Sequence, residues 1–193
     1  EMGRTSPAFR SLFGTTVGIG SQGILMDGTP AQKDKYLRRL ASGELIASFC
    51  LTEPQSGSDA ASLQTRADRV DGGYQLTGTK RYITNAPRAG VFTVMARTDP
   101  NQKGALGVSA FVVDAASSGL SLGKPERKLG QRGTAVCDVI FDGCFVPDAG
   151  LIGGVPGQGF RTAMKVLDRG RLNIGAFCVG TAKRLIDEMV RYA

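Results

Sequence analysis

FCLTEPQSGSD, from Phe49 to Asp59, is the most informative stretch of the 193-residue sequence. Its first residues are apolar and typical of a short β-strand, whereas the rest carry hydroxyl groups or favour turns. Composition alone indicates no more than a strand followed by a loop. The kind of domain that surrounds this loop has to be inferred from the flanking sequence.

The residues around and beyond this loop have the pattern of a β domain. Asp71-Gly72 is a strong hairpin signal, and alternation through Tyr74 and Leu76 follows it. Six short strands in about 100 residues predict an antiparallel barrel or sandwich. The candidate strands are 46–51, 70–78, 82–84, 91–96, 108–113 and 135–141.

Helical patterns precede and follow this β region. Ser6-Pro7 offers an N-cap with proline at the first helical position, and Thr29 to Gln32 forms a capping box, so we expect two helices in the first 45 residues. Past Pro147, apolar residues return to helical spacing and continue to the last residues.

The predicted fold class is therefore α+β. It comprises a helical N-terminal segment (1–45), a middle β domain (46–156) and the first helix of a C-terminal helical bundle (157–193). The first residue is not Met, and the last helical pattern is still running at Ala193. We expect the sequence to be an interior piece of a chain about twice as long.

The sequence contains no histidine, which excludes several kinds of chemistry from these residues alone. Neither a Ser-His-Asp nor a Cys-His nucleophile can form, nor a histidine metal site, and we predict no metal. None of the four cysteines forms a C-x-x-C pair, and each lies in an apolar run. Reduced, buried thiols in a cytoplasmic protein are the prediction.

The net charge is +7, from 24 Lys and Arg against 17 Asp and Glu. This charge suits a ligand that carries phosphates. It is equally expected for a basic piece of a longer protein whose positive and negative charges are balanced. The basic residues are scattered without a nucleic-acid-binding module, so no nucleic-acid partner is predicted. No run approaches the roughly 18 apolar residues of a membrane span, and no membrane partner is predicted.

Residues 18–23 read GIGSQG and match the G-x-G-x-x-G dinucleotide motif. That motif binds a pyrophosphate only between a strand and the start of a helix. Here a helical pattern precedes it, and Asp27 to Pro30 breaks the chain soon afterwards. We interpret the glycines as a site where a helix packs closely against a neighbour.

Three further clusters follow the opening stretch in a distinctive order. They are GTKRYITNA (78–86), KLGQRGT (128–134) and DGCFVP (142–147). With LTEP (51–54) and GSD (57–59), they resemble the acyl-CoA dehydrogenase family over essentially the whole chain. The resemblance implies a β domain between two helical domains, with FAD and a thioester of coenzyme A bound between them.

The resemblance also implies which residues hold the flavin. The expected cofactor-binding residues are Phe49, Cys50, Leu51, Thr52, Gly57, Ser58, Tyr82, Ile83 and Thr84. Backbone amides around Leu51 and Thr52 would face the pyrimidine side of the ring and stabilise the negative charge of the reduced flavin. Tyr82 stands where the family usually has tryptophan, and Gln55 stands where many members have glycine.

For the substrate, the resemblance implies Ser58, Asp168 and Arg171. Asp168 and Arg171 are three residues apart, so they would share one helix face, although a solvent-exposed ion pair fits the same spacing. The family's catalytic glutamate has no counterpart in the chain, because Gly170 occupies the position used by a minority of members. We therefore expect the base beyond Ala193 and name no catalytic residue.

The implied activity is FAD-dependent α,β-dehydrogenation of an acyl-CoA to a trans-2-enoyl-CoA. The implied partners are the acyl-CoA and an electron-transfer flavoprotein, with a homotetramer or homodimer as the whole protein. Two alternatives stay open. One is an acyl-CoA oxidase or flavin monooxygenase on the same fold, and the other is a binding module without flavin or catalysis.

Overall fold

The computed structural model describes all residues from Glu1 to Ala193. The N-terminal part contains three helices rather than the two that we expected, because the first helical run breaks where Gly18 has non-helical dihedral angles. A π-helical turn at Thr16–Gly20 replaces the middle of that run. The helices are α1 (Pro7–Thr15), α2 (Ser21–Asp27) and α3 (Pro30–Ser42).

The capping box predicted at the start of α3 is confirmed. The amide of Gln32 donates to Thr29 Oγ1, and the amide of Thr29 donates to Gln32 Oε1. Gly43 ends the helix in the left-handed conformation with φ of 80°. The start of α1 differs from the expectation, since Pro7 occupies the first turn but the Ser6 side chain makes no capping hydrogen bond.

The middle of the chain forms one seven-stranded sheet in the order β1-β4-β2-β3-β7-β6, with β5 paired to β4. The strands are β1 (Ala47–Cys50), β2 (Arg66–Val70), β3 (Gly73–Thr84), β4 (Val91–Arg97), β5 (Val108–Asp114), β6 (Leu120–Leu122) and β7 (Val136–Pro147). The predicted α+β class is confirmed, and the predicted Asp71-Gly72 turn joins β2 to β3.

The sheet is mixed, because β1 runs parallel to β4 over residues 47–50 and 91–94. The loop after β1 and the β2–β3 hairpin lie between these two strands in sequence, and that length of chain allows the crossover that a parallel pair needs. The remaining extended pairings are antiparallel. Strands β2 and β6 were not predicted, and the separate candidates 70–78 and 82–84 belong largely to the single strand β3.

Two apolar clusters pack on opposite faces of this sheet. Alternate residues of β4 divide between them, with Phe92 and Val94 in one cluster and Val91 and Met95 in the other. The second cluster also takes side chains from α2, α3 and the long C-terminal helix. This helix, α4 (Gly159–Tyr192), has 34 residues.

Helix α4 is buried only near its start. Thr162, Ala163 and Val166 are buried, whereas apolar side chains beyond residue 171 such as Leu172 and Val190 are largely exposed. None of the helices combines the length and apolar character needed to cross a bilayer. Cys178 on this helix is exposed, so the expectation that all four cysteines are buried is wrong for it, while the other three are buried free thiols.

The glycine motif is a close-packing site, as interpreted from the sequence. A Cβ atom on Gly20 would lie 2.7 Å from the backbone oxygen of Ala47 and 2.9 Å from its Cβ. The π-helical turn can approach β1 this closely only because position 20 has no side chain.

Two glycine substitutions test the close packing of Gly20 against β1. We expect Gly20→Ala to lower the free energy of unfolding by about 1 to 3 kcal/mol, because the backbone of β1 cannot move away. The control is Gly175→Ala in α4, where a Cβ meets nothing within 4 Å. It should raise stability by roughly 0.5 to 1 kcal/mol, since alanine favours the helix. Urea-induced unfolding measures both, and equal effects of the two substitutions would contradict the packing role of Gly20.

Candidate functional site

A cavity of about 500 Å³ lies between the loop after β1, the end of β3 and the buried part of α4. Most of the cofactor residues expected from the sequence line it: Phe49, Leu51, Thr52, Gly57, Ser58, Tyr82, Ile83 and Thr84. Arg171, expected to bind substrate, lines it as well. The structure thus brings together residues that lie more than 100 positions apart in sequence.

Two expected residues do not reach the cavity. Cys50 is fully buried in the apolar cluster on the other face of the sheet, because successive residues of β1 point to opposite faces. Asp168 is exposed, and the cavity face of α4 is formed by Phe160, Met164, Leu167 and Arg171. A helix turns about 100° per residue, which carries Asp168 out of that stripe.

Several lining residues were not expected from the sequence. Thr15 and Ile19 come from the N-terminal helical part, Phe160, Met164 and Leu167 come from α4, and Asp59, Ala60, Ala61 and Arg81 come from the β domain. The apolar spacing of Phe160, Met164 and Leu167 did predict a helix face. The spacing could not predict the partners of that face, because those partners lie about 100 residues away in the sequence.

The loop after β1 presents backbone amides without partners. Leu51 and Thr52 follow the last residue of β1, and their N–H groups donate to no acceptor within the chain. Leu51 is buried at the cavity wall. Backbone donors in such a position are nearly always satisfied, so these two are available to an acceptor that enters the cavity.

A buried ion pair joins this loop to β3. Lys80 Nζ lies 2.6 Å from Glu53 Oε1 and 3.2 Å from the carbonyl oxygen of Leu51, to which it donates. The two side chains are 0% and 1% exposed. The amide of Arg81 also donates to the carbonyl oxygen of Thr52 at 2.8 Å, so adjacent residues of β3 hold adjacent residues of the loop.

The Glu53 carboxylate is satisfied on all sides. The amides of Gln64 and Thr65 donate to its oxygens at 2.6 and 3.0 Å, and the Gln55 side chain donates at 3.0 Å. Burial acts to raise the pKa of Glu53, but the Lys80 ammonium and these hydrogen bonds outweigh it and hold that pKa below its usual range. Burial likewise lowers the pKa of Lys80, against the attraction of the Glu53 carboxylate.

Tyr82 has an unusual backbone conformation at the edge of the cavity. Its φ is 60°, and the register between β3 and β7 shifts between Lys80 and Ile83. This bulge turns the side chain out of the sheet, where it is 60% exposed and lines the cavity. Beside it, Arg81 donates to Asp138 at 3.1 Å, and its guanidinium lies 5.9 Å from the Tyr82 ring centroid.

The charged groups of the cavity wall are few. Arg81 and Arg171 are the cations, and Asp59 is the carboxylate. Asp59 accepts a hydrogen bond from the Ser62 hydroxyl at 2.5 Å. The Cys50 thiol, which does not reach the cavity, adds no negative charge behind this wall, because burial raises its pKa and holds it in the neutral form. No group of three or more acidic or cysteine side chains is placed to hold a metal ion. Because Arg81 is paired with Asp138, Arg171 is the cation of the wall that can meet an anionic group, and the free amides of Leu51 and Thr52 can meet hydrogen-bond acceptors.

The strain at Tyr82 generates a prediction. We expect Tyr82→Gly to have a free energy of unfolding about 1 kcal/mol higher than Tyr82→Ala, because only glycine adopts positive φ without a steric cost. The control is the same pair at Gln75, an exposed residue of β3 whose φ is not positive. There the glycine variant should be the less stable one. The same order at both positions, measured by urea unfolding, would contradict the strain at Tyr82.

Comparison with known protein families matches the chain in three segments. Residues 48–144 match the acyl-CoA dehydrogenase middle domain, residues 1–44 the N-terminal domain and residues 157–193 the C-terminal domain of the same family.

Individual relatives agree with this result. The chain is 42% identical over 193 residues to an acyl-CoA dehydrogenase of Bacillus subtilis, which covers 100% of the chain and 50% of that relative. The chain spans half or less of the length of the curated relatives it matches first.

Solved structures share the fold. The butyryl-CoA dehydrogenase of Megasphaera elsdenii superposes with a TM-score of 0.94 at 34% identity, over 98% of this chain and 49% of that chain. The acyl-CoA dehydrogenase of Bacillus anthracis, complexed with FAD, superposes with a TM-score of 0.90 at 38% identity, over 96% of this chain and 32% of that chain. In sequence and in structure, the chain belongs to the acyl-CoA dehydrogenase family.

Proposed function

We propose that the protein is an FAD-dependent acyl-CoA dehydrogenase that converts an acyl-CoA thioester to a trans-2-enoyl-CoA. The observation that carries the proposal is the pair of unpartnered amides at Leu51 and Thr52 in the wall of a cavity that Tyr82 borders. A flavin needs hydrogen-bond donors at its pyrimidine edge and an apolar or aromatic surface along its ring, and these residues supply both. The FAD complex of the Bacillus anthracis relative supports the same cofactor.

In this proposal the residues of the chain bind the flavin and orient it. The amides of Leu51 and Thr52 donate to the pyrimidine edge, and Tyr82, Ile83 and Thr84 lie along the ring. Amides that are already fixed stabilise developing negative charge without reorganising. When bound, FAD supplies the acceptor for the hydride that leaves the β-carbon of the substrate.

The substrate residues are Ser58 and Arg171. Arg171 is one of the two cations of the cavity wall, and its charge complements the phosphates of coenzyme A. Asp168 has no part in this proposal, because its side chain is exposed outside the cavity face of α4.

The base that takes the α-proton is proposed to be a glutamate outside residues 1–193. Within the chain, the cavity wall contains one carboxylate, Asp59, and it is engaged by Ser62. Position 170 on α4 is glycine and cannot accept a proton. The whole protein, rather than these residues alone, is therefore the form to assay.

The remaining parts of the proposal concern partners and location. An electron-transfer flavoprotein takes the electrons from the reduced enzyme, and the whole protein assembles as a homotetramer or homodimer. Four free thiols support a reducing compartment such as the cytoplasm.

Cofactor binding and turnover test the proposal directly. The whole protein should bind FAD, and an acyl-CoA added without oxygen should bleach the flavin absorbance and yield the 2-enoyl-CoA. Rapid reoxidation of the reduced flavin by oxygen, with release of peroxide, would identify the protein as an oxidase and not a dehydrogenase. A protein that binds neither FAD nor an acyl-CoA would be a non-catalytic module and would contradict the proposal.

Arg171 provides a test of the substrate site. We expect Arg171→Met to raise KM for the acyl-CoA about tenfold or more, because a hydrogen bond to a charged group contributes roughly 1.5 to 3 kcal/mol. The matched control is Arg169→Met on the same helix, since Arg169 lies outside the cavity and donates to Gln22. Equal KM values for the two variants would show that Arg171 does not bind the substrate.

A further inference from the structure

Lys80 contacts the peptide group that carries one of the free amides. Its ammonium donates to the carbonyl oxygen of Leu51, and this oxygen belongs to the same peptide unit as the N–H of Thr52. The chain contains no cis peptide bond. In a trans peptide the C=O and N–H groups point in opposite directions, so holding the oxygen fixes the direction of the N–H.

The two sides of this peptide unit differ in character. On the oxygen side lies the buried Lys80–Glu53 pair, which is closed to solvent. On the other side, the Thr52 N–H meets no acceptor of the chain, and Thr52 lines the cavity. Because Lys80 holds the oxygen in the interior, the N–H is directed away from the interior and towards the cavity.

The ammonium also acts on the strength of this donor. A positive charge at hydrogen-bond distance from the Leu51 oxygen polarises the peptide unit and makes its N–H a better donor. Glu53 sets where that charge lies, because its carboxylate is itself held by the amides of Gln64 and Thr65. The same lysine is two residues from Tyr82, at the start of the bulge in β3.

We propose that Lys80, held by Glu53, is a positioning residue for the flavin, which directs and polarises the Leu51–Thr52 peptide so that the Thr52 N–H binds the pyrimidine edge. The inference rests on the proposed FAD binding and adds a role for a side chain that does not reach the cavity. Since the reduced flavin carries more negative charge at that edge, removing Lys80 weakens the binding of reduced FAD more than that of oxidised FAD.

A purely structural role for the ion pair makes a different prediction. A buried pair often contributes little net stability, yet breaking it by removing one partner is strongly destabilising because the other charge stays buried and unpaired. Removing both charges should restore stability. If the pair served stability alone, the double variant would also recover the flavin properties.

The experiment compares Lys80→Met, the double variant Glu53→Gln/Lys80→Met and a control, Val113→Ala, in the whole protein. Val113 is a buried residue of β5 in the apolar cluster on the sheet face away from the cavity, and its truncation lowers stability without touching the loop. The measurements are the free energy of unfolding, the dissociation constant of oxidised FAD by fluorescence quenching, and the midpoint potential of the bound flavin.

For Lys80→Met and for the double variant, we expect oxidised FAD to bind about tenfold more weakly, and reduced FAD to lose a further factor of ten. That further factor lowers the midpoint potential by about 30 mV for a two-electron couple. The double variant should be the more stable of the two, and it carries the test if Lys80→Met does not fold. Val113→Ala should lose stability with no change in the potential.

The outcomes separate the inference from the function on which it rests. A double variant that folds and has the wild-type FAD affinity and midpoint potential would overturn the role of Lys80 while leaving the flavoprotein assignment intact. A change in potential as large in Val113→Ala would overturn it equally, because it would trace the effect to stability. A wild-type protein that binds no FAD would overturn both.

Discussion

The buried ion pair between Lys80 and Glu53 is the constraint on which the cavity depends. A lysine ammonium with 0% exposure costs several kcal/mol to desolvate, and only a close carboxylate with its own hydrogen bonds offsets that cost. Meeting this requirement forces the loop after β1 to lie against β3. In the same arrangement the amides of Leu51 and Thr52 find no acceptor within the chain, which leaves both donors open to a ligand. A polar group in the core thus determines the shape of the site beside it.

The sheet and α4 supply the rest of the site by ordinary packing. The bulge in β3 directs Tyr82 outward, and the parallel pairing of β1 with β4 places Phe49 and Leu51 at the helix-facing side of the sheet. Helix α4 then covers this side with Phe160, Met164 and Leu167. Gly20 allows the N-terminal helical part to close against β1. Each of these contacts joins segments distant in sequence, so the cavity exists only in the folded chain.

Local signals were sufficient to predict much of the fold. The Thr29–Gln32 capping box and the Asp71-Gly72 turn depend on neighbouring residues only, and both are present. Signals that depend on tertiary contact were not sufficient. Three features depend on which face of a helix or strand is covered by the rest of the fold. They are the direction of Cys50, the exposure of Asp168 and the pairing of Lys80 with Glu53. A sequence pattern gives the period of an element but does not say what packs against each face.

A crystal structure of the whole protein with FAD bound would show directly whether these residues hold the flavin. We expect the Leu51 and Thr52 amides to lie within about 3 Å of acceptors at the pyrimidine edge, the usual length of such a hydrogen bond. We also expect Lys80 Nζ to contact the carbonyl oxygen of Leu51 in that complex. A flavin bound elsewhere, or one whose pyrimidine edge points away from Thr52, would rule out the role given to Lys80 and the two amides.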